Sequence, residues 1–296
     1  MKIRIFASEL TKKNTIMAHF KEEFFPSVED FYSTRMKTRD QMLHDKKLAA
    51  RYLDILKQAS NLHVKGKFLE HGVTMCCANP VGGILITGIN PSDNPKAPKG
   101  CYYTFEETML NPIGSYWRNK KKQIVGDDAI LIRNTAYLDL FPYSESSQKT
   151  FLSEIENKDN NNEFQVKVLE ITLEEIEYLS PKLIIAANKQ TSYYCGIKED
   201  CIWLGYNLIE VEESHKPECI KGTDIRFYRI EGETGFKEAK DRIGQDRFPN
   251  SINGRSNLLG SYFIDYALYD DRHVAKYPSR ILNPSIIKEL YEFITR

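Results

Sequence analysis

The run from Gly82 to Ser92, GGILITGINPS, holds the residues best placed for chemistry. A leucine-containing, β-branched segment passes straight into a polar turn, Gly88-Ile89-Asn90-Pro91-Ser92. This is how a buried parallel strand reads when it delivers a loop to the carboxyl edge of an α/β sheet, and ligands bind at that edge. Asn90 supplies a carboxamide that both donates and accepts. Gly88 admits close backbone approach beside it and Pro91 fixes φ. Three later apolar runs also meet polar residues: Asp128 to Leu140 around Asn134, Pro181 to Ala187 before Asn188, and Tyr206 to Val211 before His215. If each run is a parallel strand, Asn90, Asn134, Asn188 and His215 converge on one edge.

The elements that must hold these residues follow from periodicity. Helical stretches such as VLEITLEEIEYL separate the strand-like runs, which predicts crossover helices on a parallel sheet. The expected fold is α/β: a three-layer αβα arrangement around a central parallel four-stranded sheet. Residues 1–75 read as a helical N-terminal extension, with Met42, Leu43, Leu48, Tyr52, Leu53 and Leu56 at helical spacing. Residues 76–219 form the core of this single domain. Residues 220–296 read as an irregular insertion, with a hairpin expected within TDIRFYRIEGETG, followed by a terminal helix over Pro284 to Arg296.

Composition narrows the function classes. The chain has 296 residues, of which 41% are hydrophobic and 28% charged, and its formal net charge is zero. No apolar run approaches the roughly 20 residues that span a bilayer. The start, MKIRIFASELTKK, has no apolar signal core, so a cytoplasmic protein without a membrane partner is expected. Six cysteines without a C-x-x-C pair point to neither a disulfide framework nor a metal site, and no cofactor is implied. The neutral balance argues against a wholly basic nucleic-acid binder. The stretch from Asn94 to Lys122 is nevertheless basic and ends Arg118-Asn119-Lys120-Lys121-Lys122. It reads either as a face for a polyanion or as a solvated helix.

Gly88-Ile89-Asn90-Pro91 resembles the G-x-[DN]-P loop of the uracil-DNA glycosylase superfamily, in the Gly-Ile-Asn-Pro form of its mismatch-specific and thymine-DNA glycosylases. Leu131-Ile132-Arg133-Asn134-Thr135 is similar to the second-strand segment that ends in the base-reading asparagine. Pro181 to Ala187 resembles the third strand, and Ser214-His215-Lys216-Pro217 stands where the family carries its His-Pro-Ser loop. The resemblance covers roughly residues 80–220. It implies a DNA glycosylase of base-excision repair that hydrolyses the N-glycosidic bond of uracil or a related damaged or modified base. The partner would be single- or double-stranded DNA carrying that base, and the protein a monomer with no metal or cofactor.

That reaction needs a base clamp, stabilisation of the departing anion and a positioned water. By resemblance, Asn90 orients the water, Asn134 reads the flipped base and His215 donates to the departing pyrimidine. Gly88, Ile89 and Pro91 wall the base pocket. Tyr103, with Tyr102 and Phe105 as alternatives, supplies an aromatic floor. Lys120, Lys121 and Lys122, with Ser92 at the pocket mouth, are the candidates for phosphate contact.

Two departures bear on activity. Asparagine stands at 90, where the most active branch has aspartate, implying a slower or differently selective enzyme. Lys216 is inserted in the histidine loop, with Ile220 as the candidate wedge and Arg272-His273 or Leu282-Asn283-Pro284-Ser285 as alternative placements of that loop. Two other readings stay open: a catalytically inactive member that binds nucleic acid or nucleobase, and an unrelated small-molecule α/β enzyme.

Overall fold

Four apolar runs become parallel strands, but not the four that periodicity selects. The computed structural model describes residues 38–59, 66–91, 101–145, 147–155, 162–197, 206–233, 257–266 and 278–296. They fall into two units: Met1–Ala78, Asn90–Tyr102 and Pro142–Gln165 in one, and Asn79–Ile89, Tyr103–Phe141 and Val166–Arg296 in the other.

The second unit contains the sheet. Its strands are β1 (Ile84–Gly88), β2 (Thr135–Asp139), β3 (Leu183–Ala186), β4 (Tyr206–Glu210), β5 (Arg226–Glu233) and β6 (Tyr262–Asp265). Their order is β2-β1-β3-β6-β5-β4. β2, β1, β3 and β6 are mutually parallel, β5 runs antiparallel to β6, and β4 runs antiparallel to β5. The sheet is therefore six-stranded and mixed, correcting the expected four-stranded parallel one.

The correction has a physical origin. Every residue of β1, β2 and β3 is buried, as central parallel strands require. Tyr206–Glu210 instead becomes progressively exposed along its length. It takes the sheet margin, and the short run Tyr-Phe-Ile-Asp at 262–265 fills the fourth parallel place. The hairpin forms between β4 and β5, so TDIRFYRIEGETG contributes one strand instead of two.

Helices α2 (Phe105–Leu110), α3 (Gly114–Lys120) and α4 (Ala129–Arg133) lie between β1 and β2 in the chain. Ala129 to Arg133 reads as strand by its β-branched content, yet Asp128 caps it as a helix. The Asp128 carboxylate accepts the backbone N–H groups of Ile130 (2.9 Å) and Leu131 (3.1 Å), satisfying donors a helix start leaves unpaired. Asn134 follows this helix and precedes β2. Between α3 and α4, residues Lys121–Val125 form a π-helical turn.

The terminal helix, Pro284–Thr295, starts as its sequence predicts, with proline at the first position. Asn283 is its N-cap and accepts the Ile286 N–H at 3.1 Å. The Leu282–Ser285 segment is therefore a helix start with Leu282 buried. Asn283→Ala should cost about 1 kcal/mol, measured by urea denaturation.

The first unit is built on the long helix α1 (Arg39–Gln58), which carries a complete Thr38–Gln41 capping box. Leu48, Tyr52 and Leu56 are buried as their spacing predicts, whereas Leu43 is exposed. Phe68 is the centre of an aromatic core, with its ring 5.2 Å from Phe151, 5.8 Å from Phe164 and 5.9 Å from Tyr143. No helix among the described residues is long and apolar enough to cross a membrane.

Candidate functional site

The carboxyl ends of β1 and β2 bring together a buried set of polar side chains. Register places Gly88 beside Asp139, and the pairing continues through Leu140 N–H to Gly88 C=O and Phe141 N–H to Ile89 C=O. Tyr137 and Asp139, two apart on β2, project to the same face. The Tyr137 hydroxyl donates to Asp139 Oδ1 at 2.7 Å, and the Tyr116 and Tyr137 hydroxyls are 2.8 Å apart.

Gly88 is the floor of this set. A Cβ there would lie 2.0 Å from Asp139 Oδ1, 2.5 Å from the Tyr137 hydroxyl and 3.2 Å from that of Tyr116. A larger residue would push these oxygens apart. The glycine of the Gly-Ile-Asn-Pro turn is thus required by the space its neighbours occupy.

Lys120, the last residue of α3, completes the set. It has no solvent exposure, and its Nζ finds no hydrogen-bond partner among the described residues. The ammonium group lies 3.3 Å from the Tyr116 ring centroid, 5.5 Å from that of Tyr137 and 5.7 Å from that of Trp117, so aromatic faces replace water around it. The π-helical turn begins at the next residue. Lys121 pairs with Asp127 at 2.7 Å, and Lys122 is exposed. The run Lys120–Lys122 is therefore not one solvent-facing stripe. Its first member enters the core, which corrects the expected phosphate contact there.

Burial governs the electrostatics. It raises the Asp139 carboxyl to about 7, against the opposing pull of the Tyr137 hydrogen bond and the Lys120 charge. It also drives the Lys120 amine well below its ordinary value, with Asp139 pulling the other way. Both tyrosine hydroxyls are pushed up by burial first and by the Asp139 charge second. They stay protonated and act as donors. Tyr116 remains 38% exposed as a residue, so one member of the set reaches the surface while its hydroxyl stays bonded within. Tyr103 packs at the periphery, 5.8 Å from Trp117 and 6.4 Å from Tyr137, and Phe105 is buried at the start of α2.

Asn134 stands at the opposite edge. Thr135, the next residue, pairs with Ile84 at the amino end of β1, and the Asn134 side chain donates to the Ile130 carbonyl at 2.9 Å. It closes a helix, and the carboxyl end of the second strand belongs to Asp139. Asn188 caps the helix Lys189–Tyr194 through the Thr191 N–H. His215 lies on an exposed turn beyond β4, its side chain 76% accessible. Four strand spacings put that turn roughly 19 Å from β1. Ile220 is fully buried, which corrects its reading as a projecting wedge.

Asn90 belongs to the other unit, where its amide is tied down. Nδ2 donates to the carbonyls of Pro91 (2.9 Å) and Glu145 (3.2 Å), and Oδ1 accepts no hydrogen bond among the described residues. Ile89 and Pro91 are buried. Ser92 and the Arg272-His273 pair lie outside the described residues.

Sequence reasoning misses Asp139 and Asp265, the acids that end β2 and β6. Each sits inside an apolar run, Tyr-Leu-Asp-Leu-Phe and Phe-Ile-Asp-Tyr. An acid embedded in a strand-like run is the signal that finds them, because aspartate is seldom buried without a specific partner. No group of three or more His, Cys, Asp or Glu among the described residues is placed to hold a metal.

No family model, curated protein or solved structure matches the chain. The resemblance to uracil-DNA glycosylases therefore rests on the motif residues themselves.

Proposed function

We propose that the chain hydrolyses the N-glycosidic bond of uracil or a related damaged or modified base in DNA, with Asp139 meeting the edge of the base. The observation that carries this reading is the buried set of Asp139, Tyr137, Tyr116 and Lys120 against Gly88. A neutral carboxylic acid presents one donor and one acceptor, as a carboxamide does. With its carboxyl raised to about 7, Asp139 holds that form at neutral and lower pH. Oδ1 already accepts from Tyr137, and Oδ2 has no hydrogen bond among the described residues. The nearby Tyr137 and Tyr116 hydroxyls and the Lys120 amine are polar groups of the kind that suits the negative charge building on a departing base.

Base-excision assays on single-stranded and mismatched oligonucleotides carrying uracil, hydroxymethyluracil, hypoxanthine or modified cytosines test this reading. Asp139→Ala should lower turnover by about 100-fold, the scale of losing a preorganised contact. Asp139→Asn, which keeps a donor and an acceptor, should retain most activity and lose the decline above pH 7. Absence of abasic product on every substrate, with folded protein, would refute hydrolysis.

A second reading, binding of nucleic acid or a nucleobase without turnover, is favoured by His215. Its distance from β1 leaves the departing base without an imidazole donor. Salt-dependent binding with no abasic product separates the two.

A further inference from the structure

The Lys120 amine is the group in the Gly88 set that packing explains least. Its side chain has no solvent exposure, and Nζ has neither a hydrogen-bond partner nor a carboxylate within ion-pair distance among the described residues. A lysine in a core is ordinarily paired, because an unpaired charge is costly to bury. Here the neighbours are the rings of Tyr116, Tyr137 and Trp117. Burial drives the amine well below its ordinary value, with Asp139 pulling the other way. Its nitrogen therefore spends a larger share of the time unprotonated than that of an exposed lysine. A desolvated amine of this kind is a nucleophile towards carbonyl carbon.

Access depends on one side chain. The Tyr116 ring centroid lies 3.3 Å from Nζ, and Tyr116 is the most exposed of these aromatic residues. Its hydroxyl is held by the hydrogen bond to Tyr137. Turning the ring outward breaks that bond and uncovers the amine. Asp139 stands on the inner side, with Oδ1 accepting from Tyr137 and Oδ2 accepting no hydrogen bond among the described residues.

Hydrolysis of the glycosidic bond leaves an abasic deoxyribose, whose C1′ opens to an aldehyde. We propose that Lys120 captures this aldehyde as an imine, with Asp139 as the acid and base of that step. Nζ bonds to C1′ and the C1′–oxygen bond breaks. Both amine hydrogens leave with that oxygen as water, relayed through the Asp139 carboxyl, so amine and aldehyde become imine and water. Nothing is oxidised or reduced, and water reverses the same steps to release the sugar. The identity of the aldehyde rests on the glycosidic-bond reading, whereas the reactivity of the amine does not.

Borohydride reduces an imine to a stable amine and so fixes the adduct. The full chain is treated with borohydride and an oligonucleotide whose abasic site is made beforehand, with the same strand already reduced to the alcohol, or with free deoxyribose phosphate. A covalent adduct should form with the abasic strand and not with the reduced one, and peptide mass mapping should place it on Lys120. Lys120→Met should lose the adduct, with circular dichroism confirming that the variant is folded. Mapping on the natural chain decides the assignment should that variant fail to fold. Because the abasic site is preformed, an adduct without base excision refutes hydrolysis alone, and excision without an adduct refutes capture alone. No adduct with the abasic strand, an adduct on a different lysine, or an adduct with free deoxyribose phosphate alone overturns the proposal.

Discussion

Asp139→Asn should make the protein more stable than the natural chain at pH 8, with the difference shrinking towards zero near pH 4. The sign follows from where the proton resides. In the folded chain burial holds the Asp139 carboxyl at about 7, above its ordinary value of 3.8. Between those values the unfolded chain has lost this proton and the folded chain keeps it, so a rise in pH favours unfolding. Above about 7 the penalty is complete. At roughly 1.4 kcal/mol for each tenfold change in proton affinity, it is on the order of 4 kcal/mol. Asparagine keeps an acceptor for the Tyr137 hydroxyl and removes the titration. Urea denaturation from pH 4 to pH 9 reads the effect, and parallel profiles for the two chains would show that Asp139 is not a buried acid. Lys120 offers a cross-check. Its charge is among the influences holding the Asp139 carboxyl down, so Lys120→Met should move the titration midpoint upward.

Gly83→Ala should be among the most damaging single changes to the sheet, at about 3 kcal/mol or more. The Cβ would lie 2.0 Å from the backbone oxygen of Asn134, an atom that no rotamer change can move. That oxygen accepts the Ile84 N–H at 2.8 Å, and the Gly83 carbonyl accepts the Lys182 N–H at 2.8 Å. The clash therefore falls where the chain segments leading into β1, β2 and β3 are tied together. Gly82 is the control. It adopts φ +78, and a methyl carbon added there would meet nothing within 4 Å. Gly82→Ala thus meets backbone strain alone and should cost roughly 1 kcal/mol. Thermal melts compare the two, and a Gly83→Ala midpoint at or above that of Gly82→Ala would contradict the steric account.

Much of the fold can be read from local pattern. Ile84–Gly88, Leu183–Ala186 and the terminal helix stand where apolar runs and the Asn283-Pro284 start signal place them. The failures come from two kinds of override. At Ala129–Arg133 a single capping carboxylate, Asp128, turns a β-branched run into a helix and carries Asn134 to the wrong edge of the sheet. At Tyr262–Asp265 the strand is four residues long, too short for its alternation to stand out, and its place is fixed by pairing with β3 and β5, far away in sequence. The candidate site is only half legible. The glycine of the Gly-Ile-Asn-Pro turn is marked by its motif, whereas Lys120 resembles a member of a surface lysine run. Its burial depends on the tyrosines and tryptophan packed around it, which no linear spacing encodes.

The hairpin added by β4 and β5 also bears on how the protein behaves in crowded solution. Without it, β6 would present an open row of backbone donors and acceptors to any other extended chain. With it, the outermost position passes to β4, which pairs with β5 alone among the described strands. That strand ends at exposed Glu210, followed closely by Glu212 and Glu213. The two added strands thus turn a sticky flank of the parallel sheet into a charged margin that resists strand-to-strand self-association.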